Sequence, residues 1–332
     1  MNANEVLAEI GDEIKKKGLP PLIERTFTDV HYEGAGKTAG DGTFRIMQWN
    51  LLAQALSQGS DNFILCPKEA LDWGNRRLRI IEELLRYEPG ILCLEEVDQY
   101  SYIKDILTKV GYEGIFFPKP DSPCLYAENS NGPDGCALFY KTSGFVLTDS
   151  KCVILQDNEG FDTNQVAVIA KLKIRTESKN AKKNEFYVVG THLKAKAGYD
   201  AVRFEQGQYL VNYLSKLVGD TPVLICGDFN ADPNEKVYGV FFDAELNLES
   251  AYTNLSDPKQ EPPYTSWKIR GTFGGNNESC KTIDYMWLSR DKLLVRRILK
   301  LPTGEAIGEN RLPSLTYPSD HLSLVCDISL NS

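Results

Sequence analysis

The chain is poor in histidine, with three in 332 residues. Its 8 cysteines include no Cys-x-x-Cys pair, which argues against a zinc site. Cys66, Cys124, Cys136, Cys152 and Cys280 stand singly, and Cys93, Cys226 and Cys326 lie inside apolar runs, where they read as small buried hydrophobes. That usage fits a reducing, cytoplasmic compartment. No apolar run approaches the length of a membrane span, so no stable membrane insertion is expected. Met1 to Lys17 alternates acids and bases and reads as neither a signal peptide nor an Arg-rich presequence. No Gly-x-Gly-x-x-Gly follows a strand, which leaves a Rossmann cofactor site unsupported. Gly34-Ala35-Gly36-Lys37-Thr38 imitates a phosphate loop, but His31 stands where the first glycine belongs and no buried strand precedes it. Basic excess is missing too: 37 Lys and Arg against 46 Asp and Glu leave a net charge of -9. A chain that wraps a long polyanion normally carries a basic face. The balance here favours a small anionic substrate held in a local basic pocket.

What is present centres on Val223-Leu224-Ile225-Cys226-Gly227-Asp228-Phe229-Asn230-Ala231-Asp232-Pro233. It opens as a short apolar run, the mark of a strand buried on both faces. It then offers Asp228 and Asn230 two positions apart, and in extended backbone such residues point the same way. Oxygen ligands of this kind suit a hard ion such as Mg²⁺. A Gly-Asp pair after a strand also serves as a plain turn.

Val6, Leu7, Ile10 and Ile14 recur at helical spacing, which predicts an amphipathic helix over 3–17, ended by Pro20-Pro21. Residues 33–43 read as a flexible linker, giving an amino-terminal helix and linker over 1–43 and a catalytic domain over 44–332. Phe44 to Asn50 alternates as a strand should. Asn75 to Glu88 and Arg203 to Val218 read as helices. Ile91 to Leu94, Ala137 to Tyr140, Val166 to Ile174, Phe186 to Thr191, Asp284 to Leu288 and Leu322 to Ile328 read as further strands. Interleaved helices with hairpin-like neighbours fit an α+β sandwich of two mixed sheets flanked by helices.

Polar residues gather at the ends of these strands: Asn50, Glu96, His192, Asp228 with Asn230, Asp284, and Ser319-Asp320-His321. Any one could be a cap. Six together, with two of the three histidines among them, look like acid–base or phosphate-contact groups.

Gln48-Trp49-Asn50, Leu94-Glu95-Glu96-Val97, Thr191-His192-Leu193, Gly227-Asp228-Phe229-Asn230, Ile283-Asp284-Tyr285 and Ser319-Asp320-His321 follow one another in the order expected of the exonuclease–endonuclease–phosphatase superfamily. The chain resembles that family over about residues 44–330, and its deadenylase-like branch in particular. The resemblance implies a four-layer α/β sandwich. Phe116 to Pro120, Asn131 to Phe139, Pro262 to Arg270 and Asn310 to Ser314 narrow it to members that use Mg²⁺, one ion or two, to remove the 2′-phosphate of NADP⁺ and NADPH. By the same resemblance, Glu96 and Asn50 hold the metal. Asp228 and Asn230 orient or deprotonate water. His321, held by Asp284 and supported by Asp320, meets the phosphoryl group, and His192 takes a second oxygen. Lys119, Lys194, Lys196 and Arg270 are the candidate phosphate cations, and Asn164, Gln165, Val166 and Ala167 match a segment lining the substrate pocket. Tyr264 and Trp267 could stack on a base or simply pack. A monomer in the cytoplasm is implied, with a mitochondrial isoform as the alternative.

Two positions depart from the family pattern. Glu95 replaces the usual Gln, and strand alternation is expected to turn it away from Glu96. Lys196 stands where Arg is usual and lacks the bidentate fork. Two rival functions share the motifs. A 3′-exoribonuclease acting on poly(A) would use the same centre with RNA as partner, and the acidic composition speaks against it. A non-catalytic scaffold would have lost ligands, and every expected ligand is present.

Overall fold

A computed structural model describes residues 1–31, 42–58, 63–175, 184–272 and 275–331, apart from the side chains of 272, 275 and 276. Most of the expected linker and the whole phosphate-loop mimic at 34–38 lie outside the described residues.

Two sheets pack face to face. The first runs in the order β1 (Phe27–Asp29), β14 (Leu293–Leu299), β15 (Leu324–Leu330), β2 (Thr43–Asn50), β3 (Ile91–Glu95), β5 (Gly135–Lys141) and β4 (Tyr112–Pro118). The second runs β10 (Leu248–Ser250), β13 (Asp284–Ser289), β9 (Val223–Asp228), β8 (Glu185–His192), β7 (Asp162–Ile174) and β6 (Phe145–Gln156). In each, a central parallel pair, β2 with β3 and β8 with β9, sits among antiparallel neighbours. A separate hairpin joins β11 (Ser266–Thr272) to β12 (Gly275–Lys281).

Helices cover both outer faces. α1 (Ala3–Lys16), α3 (Trp73–Arg86) and α4 (Tyr100–Lys109) lie over the first sheet, and α5 (Asp200–Val218) and α6 (Lys236–Phe242) over the second. α2 (Lys68–Leu71) and α7 (Gly304–Ile307) are single turns. The α1 helix begins with a capping box between Asn2 and Glu5, which satisfies two otherwise open backbone donors. It buries Val6, Ile10 and Ile14 in the same outer core as Leu78, Ile81 and Leu85 of α3. The result is the helix–sheet–sheet–helix sandwich that the alternation of elements implies.

Side-chain alternation builds the site from this frame. In β2, Met47 and Trp49 face the outer core, whereas Ile46 faces the space between the sheets. Gln48 and Asn50 continue the Ile46 face. In β3 the inward residues are Ile91 and Cys93, and Glu95 is next in phase. In β9, Leu224 and Cys226 point inward, followed by Asp228; in β8, Phe186 and Val188, followed at Gly190 and His192. In β13, Asp284 precedes the inward Met286 and Leu288. The apolar filling between the sheets thus changes to polar residues at one end, on several strands at once.

Close approach of the central strands depends on Gly227. A Cβ there would lie 2.1 Å from the Thr191 carbonyl oxygen, inside any tolerable contact. Sequence reasoning missed β4, β6, β14, the β11–β12 hairpin and the short edge strands β1 and β10. β6 is long and carries Asp149, Ser150 and Lys151 on a weakly buried stretch, so its apolar alternation is broken.

Candidate active site

Register sets the polar end. Across β8 and β9, His192 pairs with Asp228, and across β9 and β13, Asp228 faces Asp284. In the other sheet Asn50 pairs with Glu95. Two amides then link the sheets. Gln48 Nε2 donates to Glu95 Oε2 at 2.8 Å and to Asp284 Oδ1 at 3.2 Å. Asn50 Nδ2 donates to Asp228 Oδ2 at 2.9 Å and to Glu96 Oε1 at 3.2 Å.

Four residues at this end hold left-handed backbone: Leu52 at φ 60°, Glu96 at φ 53°, Asn230 at φ 50° and Lys196 at φ 80°. Such conformations in residues other than glycine cost about 1–3 kcal/mol each and gather where a site over-determines them. At Glu96 the turn ends strand alternation and brings the carboxylate to the rim, where the Ala53 N–H donates to its Oε2 at 3.1 Å. Asn230 is fixed by its own N–H, which donates to Asp228 Oδ1 at 2.8 Å. Its amide nitrogen donates to the Leu193 carbonyl at 3.1 Å and meets His192 Nε2 at 2.9 Å.

His321 enters from the loop before β15. Ser319 Oγ donates to the Asn50 carbonyl at 2.7 Å and accepts the His321 N–H at 3.1 Å, pinning the loop to the end of β2. Trp49 Nε1 donates to the His321 carbonyl at 2.7 Å. The ring's Nδ1 meets both Asp284 oxygens at 3.0 and 3.1 Å, and its Nε2 lies 3.7 Å from Asp228 Oδ2. Thr265 Oγ1 donates to Asp284 Oδ2 at 2.6 Å and completes that carboxylate's shell.

These contacts settle the charges. Burial alone would lower the His321 imidazole, but Asp284, Asp228 and Asp320 hold it up at about 9, so it is an imidazolium at neutral pH. Asp228 is pushed up to about 7 by burial, against the pull of His321 and with Asp284 opposite. His192 goes the other way, because burial and nearby Lys119 keep its imidazole neutral. With Nε2 accepting from Asn230, the hydrogen belongs on Nδ1, which is buried and has no hydrogen-bond partner among the described residues. Asp320 stays below the usual carboxylate range despite its burial, since Lys268 Nζ stands 2.5 Å from Oδ2 and Arg270 3.9 Å away. Lys119 is buried on Asp134 at 2.7 Å and near enough to feel Glu96.

The hollow therefore gathers Asn50, Glu96, Lys119, His192, Asp228, Asn230, Asp284, Asp320 and His321, with Arg270 at its edge. Two expectations need correcting, those for Glu95 and for Val166 with Ala167. Glu95 diverges from Glu96 as expected but does not leave the site: it lies wholly buried beneath the hollow, in phase with Ile91 and Cys93. Burial, then Asp284, pushes its carboxyl well above the usual range. Asn50 turns its amide nitrogen to the two carboxylates and spaces them, while its Oδ1 accepts the Leu52 N–H at 2.9 Å. Val166 and Ala167 are fully buried in two different cores and their side chains cannot reach a substrate.

Gln165 is buried as well, and Asn164 at the start of β7 is tied to Asp121. Lys194 stands near the rim with its ammonium 4.8 Å over the Tyr199 ring. Exposed Lys196 is held through its backbone, because Arg203 Nη1 donates to the carbonyls of both Lys194 and Lys196 at 3.0 Å. A recess of about 480 Å³ lined by Lys196, Arg203, Asn230 and Lys281 opens beside the hollow. Tyr264 and Trp267 pack instead of offering a free face: their rings lie 4.8 Å apart, and Arg311 covers the Trp267 ring at 4.1 Å.

Sequence reasoning missed Gln48, Thr265 and Lys268. Lys268 was legible, since it precedes Arg270 by two in a strand and so shares its face.

Two donor sets each lie within 4.8 Å, Glu96 with His192 and Asp228, and Asp228 with Asp284 and His321. Either could hold a metal ion. The first suits a hard cation best, because its carboxylates are bridged only by an amide and one of them reaches the rim.

Fold and site together define a hydrolase. The chain belongs to the endonuclease/exonuclease/phosphatase family, whose model matches residues 47–321. It is similar to nocturnin: 47% identical to that of Xenopus laevis over 100% of this chain and 83% of that protein. To human nocturnin it is 48% identical over 93% of this chain and 70% of that protein. Among solved structures it is similar to the human nocturnin catalytic domain with bound sulfate, at 41% identity and a TM-score of 0.76, covering 94% of this chain and 99% of that one.

Proposed function

We propose that this chain is a Mg²⁺-dependent phosphatase that takes the 2′-phosphate from NADP⁺ and NADPH, leaving NAD⁺ or NADH and phosphate. The observation that carries the reading is the pairing of the Glu96–Asp228 carboxylate mouth with a buried imidazolium, His321, set on Asp284. Likeness to nocturnin supports the choice of substrate, and the sulfate in the human catalytic domain supports an anion site in the family. We assign the activity to residues 44–332, acting as a monomer.

Glu96, at the rim, would hold the metal, which when bound neutralises charge on the phosphoryl oxygens. The remaining work falls to side chains. His321, charged at neutral pH, donates from Nε2 to a phosphoryl oxygen as negative charge builds there. His192, neutral and held by Asn230, turns its Nε2 edge toward Asp228 at 3.5 Å and would line the place of a second phosphoryl oxygen. Asp228 accepts the proton of an attacking water, and Asn230 fixes that carboxylate through its own N–H. The water–phosphorus bond forms as the bond to the ribose 2′ oxygen breaks on the opposite side, and that oxygen leaves as the hydroxyl by taking a proton from solvent. Positioning and electrostatics of this kind supply most of the rate gain in phosphoryl transfer. Lys119, Lys268 and Arg270 surround the hollow with positive charge on an otherwise acidic protein.

The test compares phosphate released from NADPH with adenylate released from oligoadenylate by the same Mg²⁺-loaded protein. Faster turnover of NADPH is expected. Faster shortening of oligoadenylate would replace this reading with the 3′-exonuclease one, and silence on both would favour a scaffold.

A further inference from the structure

Large apolar side chains rarely stand in water without a reason when they cluster. Among the described residues, three exposed aromatic rings lie on segments that run into the hollow: Tyr126 at 77% exposure, Phe161 at 64% and Tyr199 at 41%. None is loosely held. Tyr126 Oη donates to Asp121 Oδ1 at 2.7 Å. Phe161 closes a turn in which its N–H donates to Asp157 Oδ1 at 2.9 Å and its carbonyl accepts the Asp157 N–H at 3.0 Å. The Tyr199 ring carries the Lys194 ammonium over its face.

One polar chain joins the three segments. The Asp121 N–H donates to Asn164 Oδ1 at 2.7 Å, and the Asn164 amide returns a bond to the Asp121 carbonyl. Next to Asn164, Thr163 Oγ1 accepts from Gln206 Nε2 at 2.9 Å, and Gln206 Oε1 accepts the Lys194 N–H at 3.0 Å. Lys119 is two residues before Asp121, and His192 two before Lys194, so both ends of the chain start in the hollow. The rings thus stand on a braced wall beside a phosphate-binding centre. Their π faces are sequence-tolerant partners for a flat heteroaromatic ring, and fixed rings bind at lower entropic cost than mobile ones.

We propose that this wall seats the base of the nucleotide substrate, stacked on Tyr126 and its neighbours while the phosphate occupies the hollow. The proposal rests on the reading of the substrate as a nucleotide.

The experiment measures KM and kcat of the Mg²⁺-loaded protein on NADPH and on glycerol 2-phosphate, a phosphomonoester without a base, for Tyr126→Ala, Tyr126→Phe and Tyr199→Ala. Loss of a stacked ring should raise KM for NADPH roughly tenfold with kcat nearly unchanged. Tyr126→Phe keeps the ring but loses the Oη bond to Asp121, so its KM should fall between the parent and Tyr126→Ala, and glycerol 2-phosphate should not register either change at Tyr126. Equal losses on both substrates, or an unmoved KM for NADPH in both alanine variants, would overturn the wall. Binding of adenosine 2′-monophosphate by calorimetry separates the two claims. If the parent leaves NADPH intact, the phosphatase reading falls, yet weaker binding to Tyr126→Ala still sustains the wall and unchanged binding overturns it.

Discussion

Replacing Asp284 by Asn tests the electrostatic core of the site with little change of shape. In the parent, Asp284 accepts from Thr265 Oγ1, Gln48 Nε2 and His321 Nδ1, and its charge is the leading attraction holding the imidazole up at about 9. Asn keeps one acceptor oxygen and turns the other position into a donor, so one of these three donors loses its partner. The imidazole stays buried, and Asp228 and Asp320 remain, so its pKa falls toward the ordinary 6.5 without reaching the value burial alone would set. A full fall from about 9 to 6.5 corresponds to about 3 kcal/mol of lost preference for the charged form. At pH 7.5 a ring titrating at 6.5 is only about one-tenth protonated, so the variant should lose most of its imidazolium and roughly tenfold in kcat. Two measurements check this: the NMR titration of the His321 ring, and the pH–rate profile of phosphate release. Activity that needs a protonated His321 falls as pH rises through the ring's pKa, so the alkaline limb should move from near 9 in the parent to a lower pH in the variant. A His321 ring still titrating near 9 in Asp284→Asn would refute the reasoning, whatever the activity did.

Other outcomes follow from single contacts. Glu96→Ala should weaken Mg²⁺ binding by at least about tenfold in a calorimetric titration, since it removes the carboxylate that reaches the rim. Lys268→Met leaves Asp320 buried without its close ammonium partner, with Arg270 and the His321 ring each 3.9 Å away, and should cost about 3 kcal/mol in urea unfolding. Gly227→Ala sets a methyl 2.1 Å from the Thr191 carbonyl and should cost about 3 kcal/mol or more, read as a fall in thermal midpoint. His321, raised in the folded state, contributes stability that is fully present below about pH 6.5 and lost as pH rises through about 9. The stability gap between the parent and His321→Gln should therefore narrow across that window in metal-free protein.

The sandwich and the whereabouts of its site were legible because both follow from one pattern, an apolar run that stops at a polar residue. Asn50, His192, Asp228 and Asp284 each end or begin such a run, and parity along the strand carries them all to one face. Pairing between strands was not legible. Gln48 and Asp284 are 236 positions apart, and nothing local shows that the amide of one reaches the carboxylate of the other. Thr265 was hidden for a related reason: it precedes a hairpin strand with no apolar run to mark it.

Glu95 shows where the same rule was applied from the wrong end. Glu95 and Glu96 do diverge, but counting from Ile91 and Cys93 turns Glu95 inward, so the residue that departs from strand order is Glu96. Its left-handed backbone lifts a carboxylate out of the buried row and delivers it to the rim. Glu95 stays beneath, against Gln48, where its burial favours the neutral acid over another negative charge beside Asp228 and Asp284. Two adjacent glutamates are thereby given unlike environments by one backbone torsion, and only the raised one is placed to meet a cation.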